Sequence, residues 1–201
     1  MTRVEAHWVR RFAEQIGRCG VHAGESAVLL CETGSRPELV ETAWLALTGT
    51  GAACARVVMP TPANAGPQPI RSTGASVAIA GHGPTIAALQ AADFALDCTV
   101  EGLLHSPELG AVLGAGTRIL MISNEHPETF ERMHHDDGLA ERVARGKAMM
   151  QAASTMRATS AAGTDLTVHL AGAFCAGSVG YTAEPGDIAH WPGGLVLAFP
   201  A

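Results

Sequence analysis

Histidine is the residue type in this chain best suited to chemistry, because nine histidines are present and imidazole gains or loses a proton near neutral pH. The stretch Leu103-Leu104-His105-Ser106-Pro107-Glu108 follows an apolar, strand-like run. Ser106 is predicted to cap the first turn of a helix that has Pro107 at its first position. His105 would then lie at the mouth of a strand, on the rim where open α/β sheets bind ligands. A histidine at any strand-to-helix junction fits the same pattern, so the residues alone leave its role open.

Two other groups of residues could contribute to a site. Glu184-Pro185-Gly186 and His190-Trp191-Pro192-Gly193-Gly194 are predicted to form rigid loops, the kind of segment in which binding residues collect. A Pro-Gly turn beside a buried tryptophan explains the same residues without a ligand. The run His134-His135-Asp136-Asp137 has the two-histidine, one-carboxylate composition of a non-haem iron site. A polar linker that caps a helix is the simpler interpretation of that run.

Composition and missing motifs argue against several classes of function. The formal net charge is -6 and the basic residues do not cluster, which argues against a nucleic-acid partner. Neither a signal segment nor an apolar run long enough for a membrane span is visible, so no membrane partner is expected. The five cysteines include no Cys-x-x-Cys pair, and scattered free thiols predict a cytoplasmic protein. The common phosphate-loop, dinucleotide, serine-hydrolase and zinc-protease motifs are absent from the sequence.

The order of predicted elements is that of an α/β fold. Helices are predicted at 2–20, 35–51, 84–91, 107–113, 127–133 and 138–153, and strands at 27–31, 53–59, 77–80, 93–98 and 118–122. Thr2 is expected to cap the first helix. Alternating strands and helices predict a three-layer N-terminal domain with a mostly parallel sheet. The proline-rich segment from Pro60 to Gly74 is predicted to be a long surface loop, either a simple connection or a lid or oligomer contact.

The pattern changes near Ser154. Short alternating arms around Ala162-Gly163-Thr164-Asp165 predict a β-hairpin, and Leu195 to Phe199 form an apolar final strand. We therefore expect an N-terminal α/β domain over residues 1–154 and the β-rich start of a second, truncated domain over residues 155–201. The final strand would lie unpaired unless something covers it, which favours a homo-oligomer or a partner subunit.

Three motifs resemble those of a known family, in the same order along the chain. They are Leu103-Leu104-His105-Ser106-Pro107-Glu108, then Gly116-Thr117-Arg118-Ile119-Leu120, then Gly180-Tyr181 through Glu184-Pro185-Gly186 to His190-Trp191-Pro192. This set resembles the 2,5-dihydroxypyridine 5,6-dioxygenases, which open a pyridine ring in nicotinate breakdown. That family is related in fold to the aminopeptidase T metallopeptidases. The resemblance covers nearly the whole chain.

The resemblance implies a site as well as a fold. It implies a mononuclear Fe(II) held by two histidines and one aspartate of a C-terminal domain, so that the iron ligands lie outside this chain. It implies that His105 is an acid/base that takes a proton from the hydroxypyridine, and that Leu104, His190 and Glu184 contact the substrate. The partners would be a small N-heteroaromatic compound and O₂.

Three functions remain open on the sequence. The first is the substrate-shaping N-terminal part of a ring-cleaving dioxygenase. The second is a non-catalytic ligand-binding or assembly domain, and the third is an aminopeptidase T-like metallohydrolase. Because His105 and His190 alone do not make an iron site, the chain is expected to be a fragment, a split subunit or a degenerate binding module.

Overall fold

The structure is a computed structural model that describes residues 2–63, 74–122, 124–133 and 137–199. Most of the predicted loop from Pro60 to Gly74 and the run His134-His135-Asp136 therefore lie outside the described residues. Contacts divide the chain into two compact units. The first comprises Met1–His134 and Gly180–Pro192, and the second comprises His135–Val179 and Gly193–Ala201.

The helices and strands follow one another in nearly the predicted order. The helices are α1 (Ala6–Arg18), α2 (Pro37–Thr48), α3 (Gly83–Gln90), α4 (Leu109–Gly114) and α5 (Leu139–Ala152), with a 3₁₀ turn at Pro127–Glu131. The strands are β1 (Ser26–Glu32), β2 (Ala53–Met59), β3 (Phe94–Cys98), β4 (Arg118–Met121), β5 (Thr155–Thr159), β6 (Asp165–His169), β7 (Phe174–Ser178), β8 (Ile188–His190) and β9 (Leu195–Phe199). No helix in the described part of the chain is long and apolar enough to cross a membrane.

A five-stranded parallel sheet forms the centre of the first unit. Its strand order is β2-β1-β3-β4-β8, and every neighbouring pair is parallel. Successive side chains of a strand point to opposite faces of the sheet. Leu29 and Leu96 therefore join the core that α1 and α2 cover, whereas Leu30 and Ala95 join the core that α3 and α4 cover. The predicted α/β fold with a mostly parallel sheet is confirmed.

The second unit is a helix packed on an antiparallel ribbon, accompanied by the predicted hairpin of β5 and β6. Glycine allows the close approach of α5 to β7, because a Cβ atom on Gly177 would lie 2.7 Å from Val143 Cγ1. The other face of the ribbon carries Phe174 and Phe199, whose exposed fractions are 68% and 55%. The final strand β9 pairs with β7, which supplies the cover that this strand was expected to need.

Two helix starts differ from the predicted ones. The first helix begins at Ala6, because Glu5 has an extended backbone with φ -94° and ψ 136°, so Thr2 is too far away to cap it. Ser106 does not cap α4 either. Its hydroxyl donates to Glu108 Oε2 at 2.7 Å, and the helix begins two residues after Pro107.

The strand assignments need three corrections. Residues 77–80, predicted as a weak strand, form a turn in which Ala80 N donates to Val77 O at 3.1 Å. Two strands were not predicted, β7 and β8. His190 is therefore the last residue of a sheet strand rather than part of a rigid loop.

Candidate functional site

Asp97 organises the loop that carries the first sequence motif. Its side chain is completely buried near the carboxyl end of β3. One carboxylate oxygen accepts hydrogen bonds from Thr99 N at 2.9 Å and Thr99 Oγ1 at 2.7 Å, and the other accepts from Leu103 N at 2.7 Å. We call residues 99–105 the β3 loop. Its fold is therefore determined by one buried carboxylate that accepts three hydrogen bonds.

Glu32, the last residue of β1, is a second buried carboxylate beside the same loop. Only 4% of its surface is exposed. Its Oε1 accepts hydrogen bonds from Val100 N and Ser76 Oγ, each at 3.2 Å. Its Oε2 is buried with no hydrogen-bond partner in the part of the chain that the structure describes. Glu32 therefore joins the β3 loop to the segment around Ser76.

Residues 74–76, which we call the strap, pair with the β3 loop through main-chain hydrogen bonds. Gly74 N donates to Glu101 O at 2.5 Å and Ser76 N donates to Gly102 O at 2.8 Å. His105 N donates to Gly74 O. The strap and the β3 loop therefore form one hydrogen-bonded layer over the two carboxylates.

Leu104 and His105 lie on the exposed side of this layer. Leu104 is 38% exposed and the His105 side chain is also exposed. The backbone of Gly74 packs against both residues, because an added Cβ would lie 3.0 Å from Leu104 Cβ and 3.2 Å from His105 Cδ2. Gly74 also has φ +73°, which favours glycine. The strap thus supports the imidazole from one side.

His190 lies in the same sheet row as Asp97. Asp97 on β3 pairs in register with Met121 on β4, which pairs with His190 on β8. Residues paired in register point to the same face of the sheet, and two strand spacings separate the backbones of Asp97 and His190 by about 10 Å. Met121 also contacts the β3 loop, since a Cβ on Gly102 would lie 2.3 Å from its sulfur. The structure therefore brings His190 and the β3 loop to one face and one edge.

The surroundings of His190 favour the neutral form of its imidazole. Burial lowers its pKa from the ordinary value, and the charge of Glu125 and a hydrogen bond with the Pro192 backbone only partly offset that effect. A neutral imidazole carries one N–H donor and one acceptor nitrogen. With its N–H donated to the Pro192 carbonyl, the neutral His190 imidazole keeps one nitrogen that can accept a hydrogen bond from a ligand.

Glu184 lies at the opposite edge of the sheet from His105 and His190. It precedes β8, where Gly186 N donates to Gly116 O at 3.0 Å just before β4 begins. Glu184 N donates to Asp187 Oδ2 at 2.8 Å, which closes a tight turn. Because the strands are parallel, this turn is at the amino end of the sheet. The structure does not bring Glu184 together with the other predicted site residues.

Metal ligands are not assembled in the described residues. Within 2–63, 74–122, 124–133 and 137–199, no group of three or more His, Cys, Asp or Glu side chains could hold a metal ion. The candidate triad of His134-His135-Asp136-Asp137 falls mainly outside this part of the chain. The described residues do not fit the iron that the family resemblance implies, so no chemical step is derived through a metal.

A cleft of about 540 Å³ lies elsewhere on the first unit, beside α1. Glu131 in its wall accepts hydrogen bonds from Trp8 Nε1 and pairs with His7, and the Trp8 ring meets His126 edge-on. These contacts join α1 to the 3₁₀ turn. None of the predicted site residues lines this cleft.

The two buried carboxylates were not identified from the sequence. Each is an acidic residue at the end of an uninterrupted apolar strand, Glu32 after Leu29-Leu30-Cys31 and Asp97 after Phe94-Ala95-Leu96. A carboxylate in a strand that is buried on both faces is unusual, because burying a charge is costly. That pattern was the available signal for both residues.

The contribution of Asp97 to folding stability should depend on pH and should be larger at acidic pH. Burial raises the pKa of Asp97 to about 6, and repulsion from Glu32 acts in the same direction. The hydrogen bonds from Thr99 and Leu103 partly oppose this shift. The folded state then holds a proton more tightly than the unfolded state, so this contribution to stability is present below the unfolded pKa. It is lost as pH rises through about 6. Between about pH 4.5 and pH 7, Asp97→Asn should gain roughly 2 kcal/mol relative to the wild type.

Urea denaturation at several pH values measures this difference, and Asp93→Asn is the matched control. Hydrogen bonds from the backbone and side chain of Ser26 lower the pKa of Asp93, so that carboxylate stabilises the fold more as pH rises. Because the ordinary pKa of an aspartate already lies below this range and folding lowers it further, Asp93→Asn should differ from the wild type by a nearly constant amount between about pH 4.5 and pH 7. A pH-independent difference between Asp97→Asn and the wild type would contradict the prediction.

A comparison with known proteins agrees with the motifs. The model of the family described as NicX, 2,5-dihydroxypyridine 5,6-dioxygenase, matches residues 7–201. The chain belongs to this family. A curated 2,5-dihydroxypyridine 5,6-dioxygenase of Pseudomonas putida strain KT2440 is 35% identical over 123 residues, which are 61% of this chain and 34% of that protein.

A solved structure of the dihydroxypyridine dioxygenase family extends the likeness to the fold. It is the 2,5-dihydroxypyridine dioxygenase from Pseudomonas putida KT2440, with a TM-score of 0.83 and 29% sequence identity. The match covers 97% of this chain and 56% of the solved chain. This chain thus spans about half the length of that relative. The resemblance predicted from the three motifs is confirmed.

Proposed function

We propose that this chain is the substrate-shaping N-terminal part of a dioxygenase that opens a dihydroxypyridine-like N-heteroaromatic ring with O₂. One observation supports the proposal most directly. In a chain of the dihydroxypyridine dioxygenase family, Leu104, His105 and His190 lie at the same edge of the parallel sheet. That edge is where open α/β sheets bind their ligands.

The role proposed for His105 is proton acceptance. A hydroxypyridine would lie with its ring against the apolar side chain of Leu104 and its hydroxyl toward the His105 imidazole. The hydroxyl proton would move to an imidazole nitrogen, which leaves the ring oxygen negatively charged and the imidazole positively charged. The neutral His190 imidazole would orient the ring by a hydrogen bond.

Several further assignments belong to the same proposal. Fe(II) is proposed as the cofactor of the whole enzyme, with ligands outside the described residues. A second domain that begins near residue 155, a cytoplasmic location, and assembly as a homo-oligomer or with a partner subunit are proposed on family grounds. The predicted contact between Glu184 and the substrate stays a prediction outside this proposal, because Glu184 lies at the opposite edge of the sheet.

Binding of 2,5-dihydroxypyridine should test the two histidines. The wild-type chain should bind the compound in its ionised form, visible as a shifted ultraviolet absorption band. His105→Gln should bind about tenfold more weakly and hold the compound neutral, because glutamine cannot accept the proton. His190→Gln should weaken binding by a similar factor while the bound compound stays ionised.

His22→Gln is the control for this experiment. His22 is exposed in the turn before β1, at the opposite edge of the sheet. This variant should bind the compound as the wild type does. An ionised compound bound to His105→Gln would refute the role of His105, and equal affinity in all variants would refute the location of the site.

A second candidate function, which the sequence leaves open, is a non-catalytic binding module. Iron analysis and oxygen uptake with 2,5-dihydroxypyridine separate the two. Because the iron ligands are expected outside this chain, both are measured on the chain together with the domain or partner subunit that supplies those ligands. Stoichiometric iron with oxygen uptake in that complex supports the dioxygenase, whereas binding without iron or uptake there supports the module. Hydrolysis of a leucyl peptide would instead indicate the metallohydrolase.

A further inference from the structure

Two buried carboxylates in one place are costly to the fold. Glu32 and Asp97 have exposed fractions of 4% and 0% and lie on adjacent strands, on the same face of the sheet. Neither carboxylate forms an ion pair with a lysine, arginine or histidine among the described residues, and repulsion from Glu32 adds to the effect of burial in raising the pKa of Asp97. Burial of like charges without a countercharge opposes folding. Such an arrangement calls for a role beyond packing.

The hydrogen bonds of both carboxylates lead to the segment that carries His105. Asp97 accepts from the main-chain N–H of Leu103, the residue before Leu104. Glu32 accepts from the main-chain N–H of Val100 in the β3 loop and from the Ser76 hydroxyl in the strap. The strap in turn accepts the main-chain N–H of His105.

We propose that Glu32 and Asp97 are positioning residues for His105, because they hold the β3 loop and the strap in the arrangement that presents its imidazole. The chemical role of the imidazole rests on the proposed function, whereas the way in which the imidazole is held does not. Hydrogen bonds to a carboxylate are stronger than those to a neutral acceptor. The two carboxylates therefore order a loop that has no regular secondary structure of its own.

Glu32 also has an unused oxygen beneath the loop. Its Oε2 is buried without a hydrogen-bond partner among the residues that the structure describes. A structural role satisfied by Oε1 alone could be filled by a neutral amide. Replacement of Glu32 by glutamine therefore separates the need for an acceptor oxygen from the need for a negative charge.

Amide hydrogen exchange and the His105 ring signal, both measured by NMR on the 201-residue chain, test the proposal. In Asp97→Asn the amide of Leu103 should exchange about 10- to 100-fold faster, because an NH₂ group replaces one acceptor. Glu32→Met, which keeps the side-chain length without oxygen atoms, should do the same at Val100. Both variants should shift the His105 ring signal, and Glu32→Gln, which restores one acceptor oxygen, should give an intermediate result.

Asp93→Asn is the matched control, since Asp93 also accepts a main-chain and a hydroxyl hydrogen bond, but at the amino end of β3. It should leave the His105 ring signal unchanged. The amide of Leu29, in the centre of β1, reports whether each variant is folded. Where a carboxylate variant does not fold, Ser76→Ala keeps both carboxylates and removes the hydroxyl that donates to Glu32 and accepts from Ala78 N, and it should accelerate exchange at His105.

Titration with 2,5-dihydroxypyridine distinguishes failure of the proposed function from failure of the positioning role. If the wild type does not bind the compound, the proposed function fails, and the exchange rates and ring signal still decide the positioning role. Unchanged exchange at Leu103 and Val100 with an unchanged ring signal would overturn that role. If the wild type binds, Asp97→Asn and Glu32→Met should each bind at least about tenfold more weakly.

Discussion

Replacing Trp191 by alanine is expected to destabilise the first unit by about 4 kcal/mol, because it removes the largest side chain of a packed aromatic cluster. Trp191 follows β8 directly and is 3% exposed. Its ring stacks on Phe130 with 4.1 Å between centroids and meets Phe12 edge-on at 4.9 Å. The cluster joins β8 to α1 and the 3₁₀ turn, and alanine would leave a cavity where they meet.

Thermal unfolding measures this effect. A loss of that size corresponds to a melting temperature about 10 °C lower in a chain of this length. Trp44→Ala is the control, because Trp44 is only partly buried and has the Arg56 guanidinium 4.7 Å from its ring centroid. It should lose about 1 kcal/mol. Equal losses in the two variants would show that the aromatic cluster does not hold β8 in place.

Replacing Gly102 by alanine should have the second largest effect, about 3 kcal/mol, and should also displace His105. Gly102 has φ +78°, which costs a residue with a Cβ atom about 1 kcal/mol. The added Cβ would also lie 2.3 Å from the sulfur of Met121, which is 3% exposed. Overpacking of a buried site adds about 2 kcal/mol. The β3 loop must therefore move away from the sheet.

Gly81→Ala separates backbone strain from collision. Gly81 has φ +68°, but nothing lies within 4 Å of the position that its Cβ would take. This variant should lose only about 1 kcal/mol and keep the wild-type His105 ring signal. If Gly81→Ala and Gly102→Ala are equally unstable, then Met121 yields without cost and the β3 loop does not rest on it.

The strands with continuous apolar sequence could be predicted because burial on both faces leaves a strong composition signal. Residues 27–31 and 93–98 gave β1 and β3 almost at their observed bounds. β8 could not be predicted in this way, because it has only three residues between a Pro-Gly turn and a proline. Its partner strand β4 is distant in sequence. Tertiary pairing rather than local propensity makes it a strand.

The candidate site was predictable in its residue types but not in its support. His105 and His190 could be predicted as site residues because histidine chemistry and motif order are visible in the sequence. The strap and the paired carboxylates are visible only after β1 and β3 are placed side by side. Ser106 illustrates the limit, because a serine before a proline has the pattern of a helix cap, yet its hydroxyl is satisfied by Glu108.

The first unit is discontinuous in sequence, and this has a consequence for synthesis. Strands β1 to β4 and their helices are complete by residue 122, whereas β8 is added only after about sixty further residues. During translation β4 is therefore an exposed edge strand of the sheet. Phe12 and Phe130 then lack the Trp191 ring against which they pack. A nascent chain that ends before residue 188 should be the form most prone to strand-edge aggregation.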